Sequence, residues 1–170
     1  MQARTPRIHV GQLPHGRFMP HGELQVWPQA GQLCYAAAGP FNVEMVTAMS
    51  RAVGRLLQDW RPTPPYLTLT WWHGSLLASP EVLQAYRGLL RLGRQVMPAE
   101  LASLWLVGPE IDDAAFMKPR WLEVHEDCGY RLEFCSTEAE MLQRAEALLH
   151  AADGAGAGAG SGPQPEAAQA

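Results

Sequence analysis

Strand-like and helix-like periodicities alternate along this chain, and that alternation constrains the fold more than any other feature of the sequence. Two extended runs, residues 23–28 and 32–38, are separated by a turn that contains Gly31, and they predict a β-hairpin. From residue 42 to residue 149, stretches with apolar residues at three- and four-residue steps alternate with short strand-length runs. The predicted order of elements is therefore β-β-α-β-α-β-α-β-α.

Local signals support the individual elements. Residues 66–72 alternate between two sets of side chains, as a pleated strand does, and residues 102–107 form the continuous apolar run of a buried strand. Ser79-Pro80-Glu81 has the residue types of a helix start, and Thr137-Glu138-Ala139-Glu140 matches a capping box. Strands joined through helices are parallel. We therefore predict an α/β fold with a small mixed sheet of about five strands, in which the N-terminal hairpin is antiparallel and the remainder is parallel, covered by about four helices.

The two ends of the chain differ from its middle in composition. Residues 1–22 carry three arginines and no acid, and their prolines and glycines interrupt any regular period, so we predict a flexible basic N-terminal arm. Residues 151–170 are almost entirely Ala, Gly, Pro, Gln and Ser, which predicts a disordered Ala/Gly-rich tail. The folded α/β domain is expected to span residues 23–150.

Charge, apolar runs and cysteines narrow the class of protein. The formal net charge is −4, so no nucleic-acid partner is expected. No apolar run reaches the roughly 18 residues that a membrane span needs. The three cysteines are too few for a disulfide framework and leave at least one free thiol, which favours the cytoplasm.

Several segments of the chain together form a recognisable pattern. They are the hairpin followed by Gly39-Pro40-Phe41-Asn42-Val43-Glu44, the turn at His73-Gly74, the helix start Ser79-Pro80-Glu81, the strand end Leu106-Val107-Gly108, and Phe134 ahead of Thr137-Glu138-Ala139-Glu140. This pattern resembles bacterial STAS-like proteins, which are relatives of the anti-sigma factor antagonist domain. The resemblance covers about residues 20–150. It implies a non-enzymatic, cytoplasmic regulatory or protein-binding module.

The chain departs from the phospho-regulated members of that family at the start of the second helix. In those members an Asp ends the preceding strand, and a Ser-Ser-Gly-like segment carries the serine that a kinase modifies. Here the strand ends Thr70-Trp71-Trp72-His73, and the helix start reads Ala78-Ser79-Pro80-Glu81. Ser79 is therefore a candidate phosphorylation site by position. Its neighbours favour an ordinary helix N-cap.

Residues near the end of the central strand are the candidate binding residues. Trp71 and Trp72 are adjacent on a strand and must face opposite sides of the sheet, so we expect one in the core and the other at a partner surface. His73 and Ser75 follow at the carboxyl end of the strand, where open α/β sheets place their ligands. With Ser79, these residues form the predicted binding set.

Two other functions remain open on the sequence. A small apolar-ligand or lipid-binding domain is one, because the CRAL-TRIO lipid-transfer fold shares the alternating α/β layout. A small hydrolase that uses His73 is the other, although no Gly-x-Ser-x-Gly elbow is present. The sequence contains no phosphate loop, dinucleotide fingerprint or zincin motif, so neither a cofactor nor a metal is expected. The expected partner is another protein, with a homodimer as the alternative.

Overall fold

The computed structural model describes residues 7–13 and 17–157, and of residues 155–157 it describes the backbone alone. Residues 1–6 and 14–16 of the predicted arm and residues 158–170 of the predicted tail lie outside the described residues. The strands are β1 (Ile8–His9), β2 (Glu23–Gln29), β3 (Gln32–Gly39), β4 (Thr68–Gly74), β5 (Ser103–Leu106) and β6 (Leu132–Cys135). The helices are α1 (Val43–Asp59), α2 (Pro80–Val96), α3 (Ala114–Asp127) and α4 (Glu138–Ala157).

The six strands form one mixed sheet in sequential order, from β1 to β6. The pairs β1 with β2 and β2 with β3 are antiparallel, and β3 through β6 are parallel. The predicted mixed α/β fold with four helices is confirmed. The additional strand is β1, where Ile8 pairs with Val26 inside the segment predicted as a loose arm. The following Val10 is fully buried, and it anchors this segment to the core.

Each face of the sheet has its own apolar core. A sequential order with right-handed crossovers places α1, α2 and α3 on one face, and their buried side chains share a cluster with Trp72 and Trp105. Helix α4 covers part of the other face, where Met141 and Ala145 pack with Leu67 and Leu69. The alternation predicted for residues 66–72 is therefore confirmed, because Trp72 and the leucines point to opposite faces.

Helix ends follow ordinary capping chemistry. Asn42 caps α1 by accepting a hydrogen bond from the Met45 backbone N–H at 3.1 Å. The last helix runs through Ala157, seven residues past the predicted domain end at 150. The added segment begins with alanines, the strongest helix formers, which extend a helix without bulky apolar contacts. None of the described helices is long and apolar enough to cross a membrane.

Candidate functional site

The parallel strands all end at one edge of the sheet, which we call the carboxyl edge. Strand β4 reaches it at Gly74, between β3, which ends at Gly39, and β5, which ends at Leu106. Loops at this edge lead into α1, α2 and α3. The five predicted binding residues lie on β4 or between β4 and the start of α2.

Trp72 belongs to the core rather than to a surface. Its side chain is only 6% exposed, and its ring packs against Phe41 and Trp105 with centroid separations of 5.4 and 5.0 Å. The indole N–H has no hydrogen-bond partner within the described residues. Trp72 therefore stabilises the packing of the helix-covered face, and a partner cannot reach it in this conformation.

Trp71 lies on the opposite face, beside α4. It is partly exposed, stacks on Trp27 at a centroid separation of 5.9 Å, and donates from Nε1 to a carboxylate oxygen of Glu138 at 2.9 Å. The stacking on Trp27 and the hydrogen bond to Glu138 therefore both restrain the orientation of the Trp71 ring. The structure places this ring against the start of α4 and not among the loops that lead into α2 and α3.

Ser75 ties the β4–α2 loop to the start of α3. Its hydroxyl donates to Asp113 Oδ2 at 2.7 Å and accepts from the Leu77 backbone N–H at 2.9 Å. Two backbone hydrogen bonds reinforce this link: Leu76 N–H donates to the Asp112 carbonyl at 3.0 Å, and Asp112 N–H donates to the Gly74 carbonyl at 2.9 Å. We call this arrangement the Ser75–Asp113 clasp. It fixes two loops of the carboxyl edge relative to each other.

His73 does not join this clasp. Its side chain is exposed, and it makes no hydrogen bond within the described residues. A serine hydrolase needs its histidine bonded to both the nucleophile and a carboxylate. The structure brings Ser75 and Asp113 together and leaves His73 apart from them.

Ser79 is the N-cap of α2, with Pro80 in the first helical position. Its hydroxyl accepts a hydrogen bond from the Val82 backbone N–H at 3.4 Å, a long distance for such a bond. The Ser79 hydroxyl also hydrogen bonds with Glu81, and this bond lowers the pKa of that exposed carboxyl. The side chain is accessible to solvent while it performs this capping role.

We expect Ser79→Ala to lower the free energy of unfolding by about 0.5–1 kcal/mol, the lower part of the range for N-caps, because the Val82 N–H loses a long hydrogen bond. Ser79→Asp should match the wild type, since aspartate is an equally good cap. Urea unfolding measures both values. Ser136→Ala is the control, because the Ser136 hydroxyl makes no hydrogen bond within the described residues. A Ser79→Ala variant as stable as the control would show that the cap does not contribute.

A large exposed apolar side chain follows each residue of the clasp along the chain. Leu77 is 45% exposed in the β4–α2 loop, and Phe116 is 58% exposed in the first turn of α3. A third exposed residue, Val43, lies at the start of α1 on the same edge. The sequence analysis did not single out any of them, because an apolar residue next to a loop or cap gives no periodic signal of exposure.

A cavity of about 90 Å³ lies between the sheet and helices α1 and α2. We call it the Glu100 cavity, after the acidic residue in the loop before β5. Glu100 accepts hydrogen bonds from the hydroxyls of Thr68 and Ser103, each at 2.8 Å. Burial raises the pKa of Glu100, and these two hydrogen bonds act in the opposite direction. Aromatic rings line much of the cavity, including those of Tyr35, Tyr66, Trp72, Tyr86, Trp105 and Tyr130.

No family model matches this chain, and neither a curated protein nor a solved structure matches it. Within the described residues, no group of three or more His, Cys, Asp or Glu side chains is arranged to hold a metal ion.

Proposed function

We propose that this protein is a non-enzymatic regulatory module of STAS-like type that binds another protein through its carboxyl edge. The observation that carries the proposal is the exposure of Leu77 and Phe116 on two segments that the Ser75–Asp113 clasp holds together. The sequence resemblance to STAS-like proteins supports the same class of function.

A fixed pair of apolar side chains suits protein recognition for an energetic reason. Large apolar residues that are exposed on a rigid frame lose little conformational entropy on binding, so most of the gain from their burial remains available. The hydrogen bonds of Ser75 and Leu76 restrain the loop that carries Leu77. The regular first turn of α3 restrains Phe116. The conformation of this surface is therefore already fixed before a partner binds.

The charge around these side chains indicates the chemistry of the partner. The segments 74–81 and 110–120 carry four exposed acids, Glu81, Glu110, Asp112 and Asp113, against two bases, Lys118 and Arg120. The Arg120 guanidinium lies 4.3 Å from the centroid of the Phe116 ring, and the net charge of the two segments remains negative. Complementary charge speeds encounter and excludes acidic competitors. We therefore propose a partner segment that combines basic and apolar side chains.

The proposal includes a cytoplasmic location. Cys34, Cys128 and Cys135 are all unpaired and buried, as structural thiols in a reducing compartment are. Burial raises the pKa of Cys34 to about 12, which keeps that thiol protonated and unreactive.

The rival functions have weaker support. A cavity of about 150 Å³ binds benzene, and the Glu100 cavity, at about 90 Å³, is smaller and has no room for a lipid chain in this conformation. Hydrolysis at His73 lacks the required contact with Ser75. The cavity remains suited to a much smaller ligand.

Affinity capture from native cell extract tests the proposal. The baits are the wild type, a Leu77→Asp/Phe116→Asp variant, and Leu142→Asp as the matched control, because Leu142 is 51% exposed on α4, on the same face of the sheet as Leu69 and Trp71. We expect one basic protein to bind the wild type and the control, and the double variant to bind it roughly 30-fold or more weakly, as the loss of a hot spot does. Added salt should weaken the complex.

Equal capture by the double variant, or capture that Leu142→Asp abolishes, would contradict the proposal. Sedimentation equilibrium distinguishes a homodimer from a complex with another protein. If the wild type and the control were dimers and the double variant a monomer, the carboxyl edge would bind a second copy of the chain. Ser79→Ala and Ser79→Asp should both retain the partner. If aspartate alone abolished binding, regulation by phosphorylation of Ser79 would replace the capping interpretation.

A further inference from the structure

The Glu100 cavity contains a carboxyl group without a basic partner. Its two hydrogen bonds come from neutral hydroxyls, those of Thr68 and Ser103, and no salt bridge joins it to a basic side chain within the described residues. Taking an ionised carboxylate out of water is costly unless an opposite charge compensates it. A bound cation would supply the missing positive charge and would stabilise the ionised form of the Glu100 carboxyl.

The walls of the cavity suit a positive charge. Tyr35, Tyr66, Tyr86 and Tyr130 line it together with tryptophan rings. The faces of such rings attract ammonium groups, and aromatic cages are a known means of binding methylated amines. The hydroxyls of Tyr35 and Tyr86 make no hydrogen bond within the described residues, so their oxygens are free to accept one from a ligand.

The cavity also has a route to the surface. Glu100, Met97 and Tyr130 are each partly exposed and line the cavity near the amino ends of β5 and β6. This opening is at the end of the sheet opposite the carboxyl edge. A ligand could enter here without disturbing the surface proposed for a protein partner.

We propose that the Glu100 cavity binds a small organic cation, an alkylammonium ion of about four or five non-hydrogen atoms. Its positive charge faces the Glu100 carboxylate, and its alkyl groups contact the tyrosine rings. The size follows from the volume of about 90 Å³, since benzene, with six carbon atoms, occupies a cavity of about 150 Å³. The site is independent of partner binding at the carboxyl edge.

Nuclear magnetic resonance titration of the full chain with trimethylammonium and tetramethylammonium chloride tests this inference. We expect saturable shifts of the signals of Tyr86, Thr68 and Ser103 at millimolar ligand. The neutral compound tert-butanol, which has the shape of tetramethylammonium, should produce no saturable shift at these residues. Sodium chloride at the same ionic strength is the blank.

The variant Glu100→Gln should weaken binding by at least about tenfold, because it removes the charge and keeps the size of the side chain. Glu126→Gln, at an exposed acid outside the cavity, should bind like the wild type. Equal binding of tert-butanol by the wild type would overturn the role of charge without relying on any variant. The absence of saturable shifts with either ammonium ion would overturn the proposal. Either result leaves the carboxyl-edge proposal intact.

Discussion

Replacing Trp72 with alanine is expected to lower the free energy of unfolding by about 3–5 kcal/mol, the range for a fully buried tryptophan. The ring lies between Phe41 and Trp105, and its removal leaves a void next to an existing cavity. Trp71→Ala should cost only about 1–2 kcal/mol, because that ring is partly exposed and loses mainly its stacking on Trp27. Urea unfolding of the two variants measures the difference.

If the alanine variant does not fold, Trp72→Phe replaces it in this comparison. Its free energy of unfolding should lie between that of the wild type and that expected for Trp72→Ala. The account would be contradicted if Trp71→Ala were as destabilising as Trp72→Ala. In that case the ring beside α4 would be part of the core. Partner capture should survive Trp71→Ala, since Trp71 lies on the α4 face and not among the loops that carry Leu77 and Phe116.

Acid should destabilise the protein through His125, by about 3 kcal/mol between pH 6.5 and about pH 4. This side chain is fully buried, and its Nδ1 lies 2.8 Å from the Trp121 carbonyl oxygen, so the neutral ring donates there and leaves Nε2 without a partner. Burial lowers the pKa of His125 from 6.5 to about 4. Between these values the unfolded chain binds a proton that the native state does not, so stability falls as the pH falls.

Urea unfolding across this pH range measures the effect. His125→Phe should remove this part of the pH dependence, whereas His73→Gln, at an exposed histidine, should leave it unchanged. Glu100 contributes with the opposite sign: burial raises its pKa, so its contribution is complete at low pH and is lost as the pH rises above its ordinary value of 4.5. That contribution is common to all three proteins and cancels when they are compared. Identical pH slopes for the wild type and His125→Phe would contradict the prediction.

The sequence predicted the elements that depend on local chemistry. The α2 start at Ser79 has its expected cap, and in the predicted capping box at the start of α4 the Thr137 hydroxyl accepts a hydrogen bond from the Glu140 backbone N–H at 3.2 Å. The alternation of residues 66–72 follows from the pleat of a strand. Such features are encoded by neighbouring residues, so they can be recognised without knowledge of the tertiary structure.

Features that depend on distant contacts were not predictable in the same way. Strand β1 is only two residues long, and its pairing with β2 and the burial of Val10 define it. Alternation established that Trp71 and Trp72 face opposite sides, but the unequal cover of the two faces by helices decided which one is buried. Glu100 lies in a loop, where nothing in the local pattern indicates that its carboxylate lines a cavity.

The most direct test of the central proposal is amide hydrogen exchange of the protein with and without its captured partner. Binding at the carboxyl edge should slow exchange in segments 74–78 and 113–118 and leave the exposed face of α4 unchanged. Protection confined to α4, with no change in these two segments, would contradict the account.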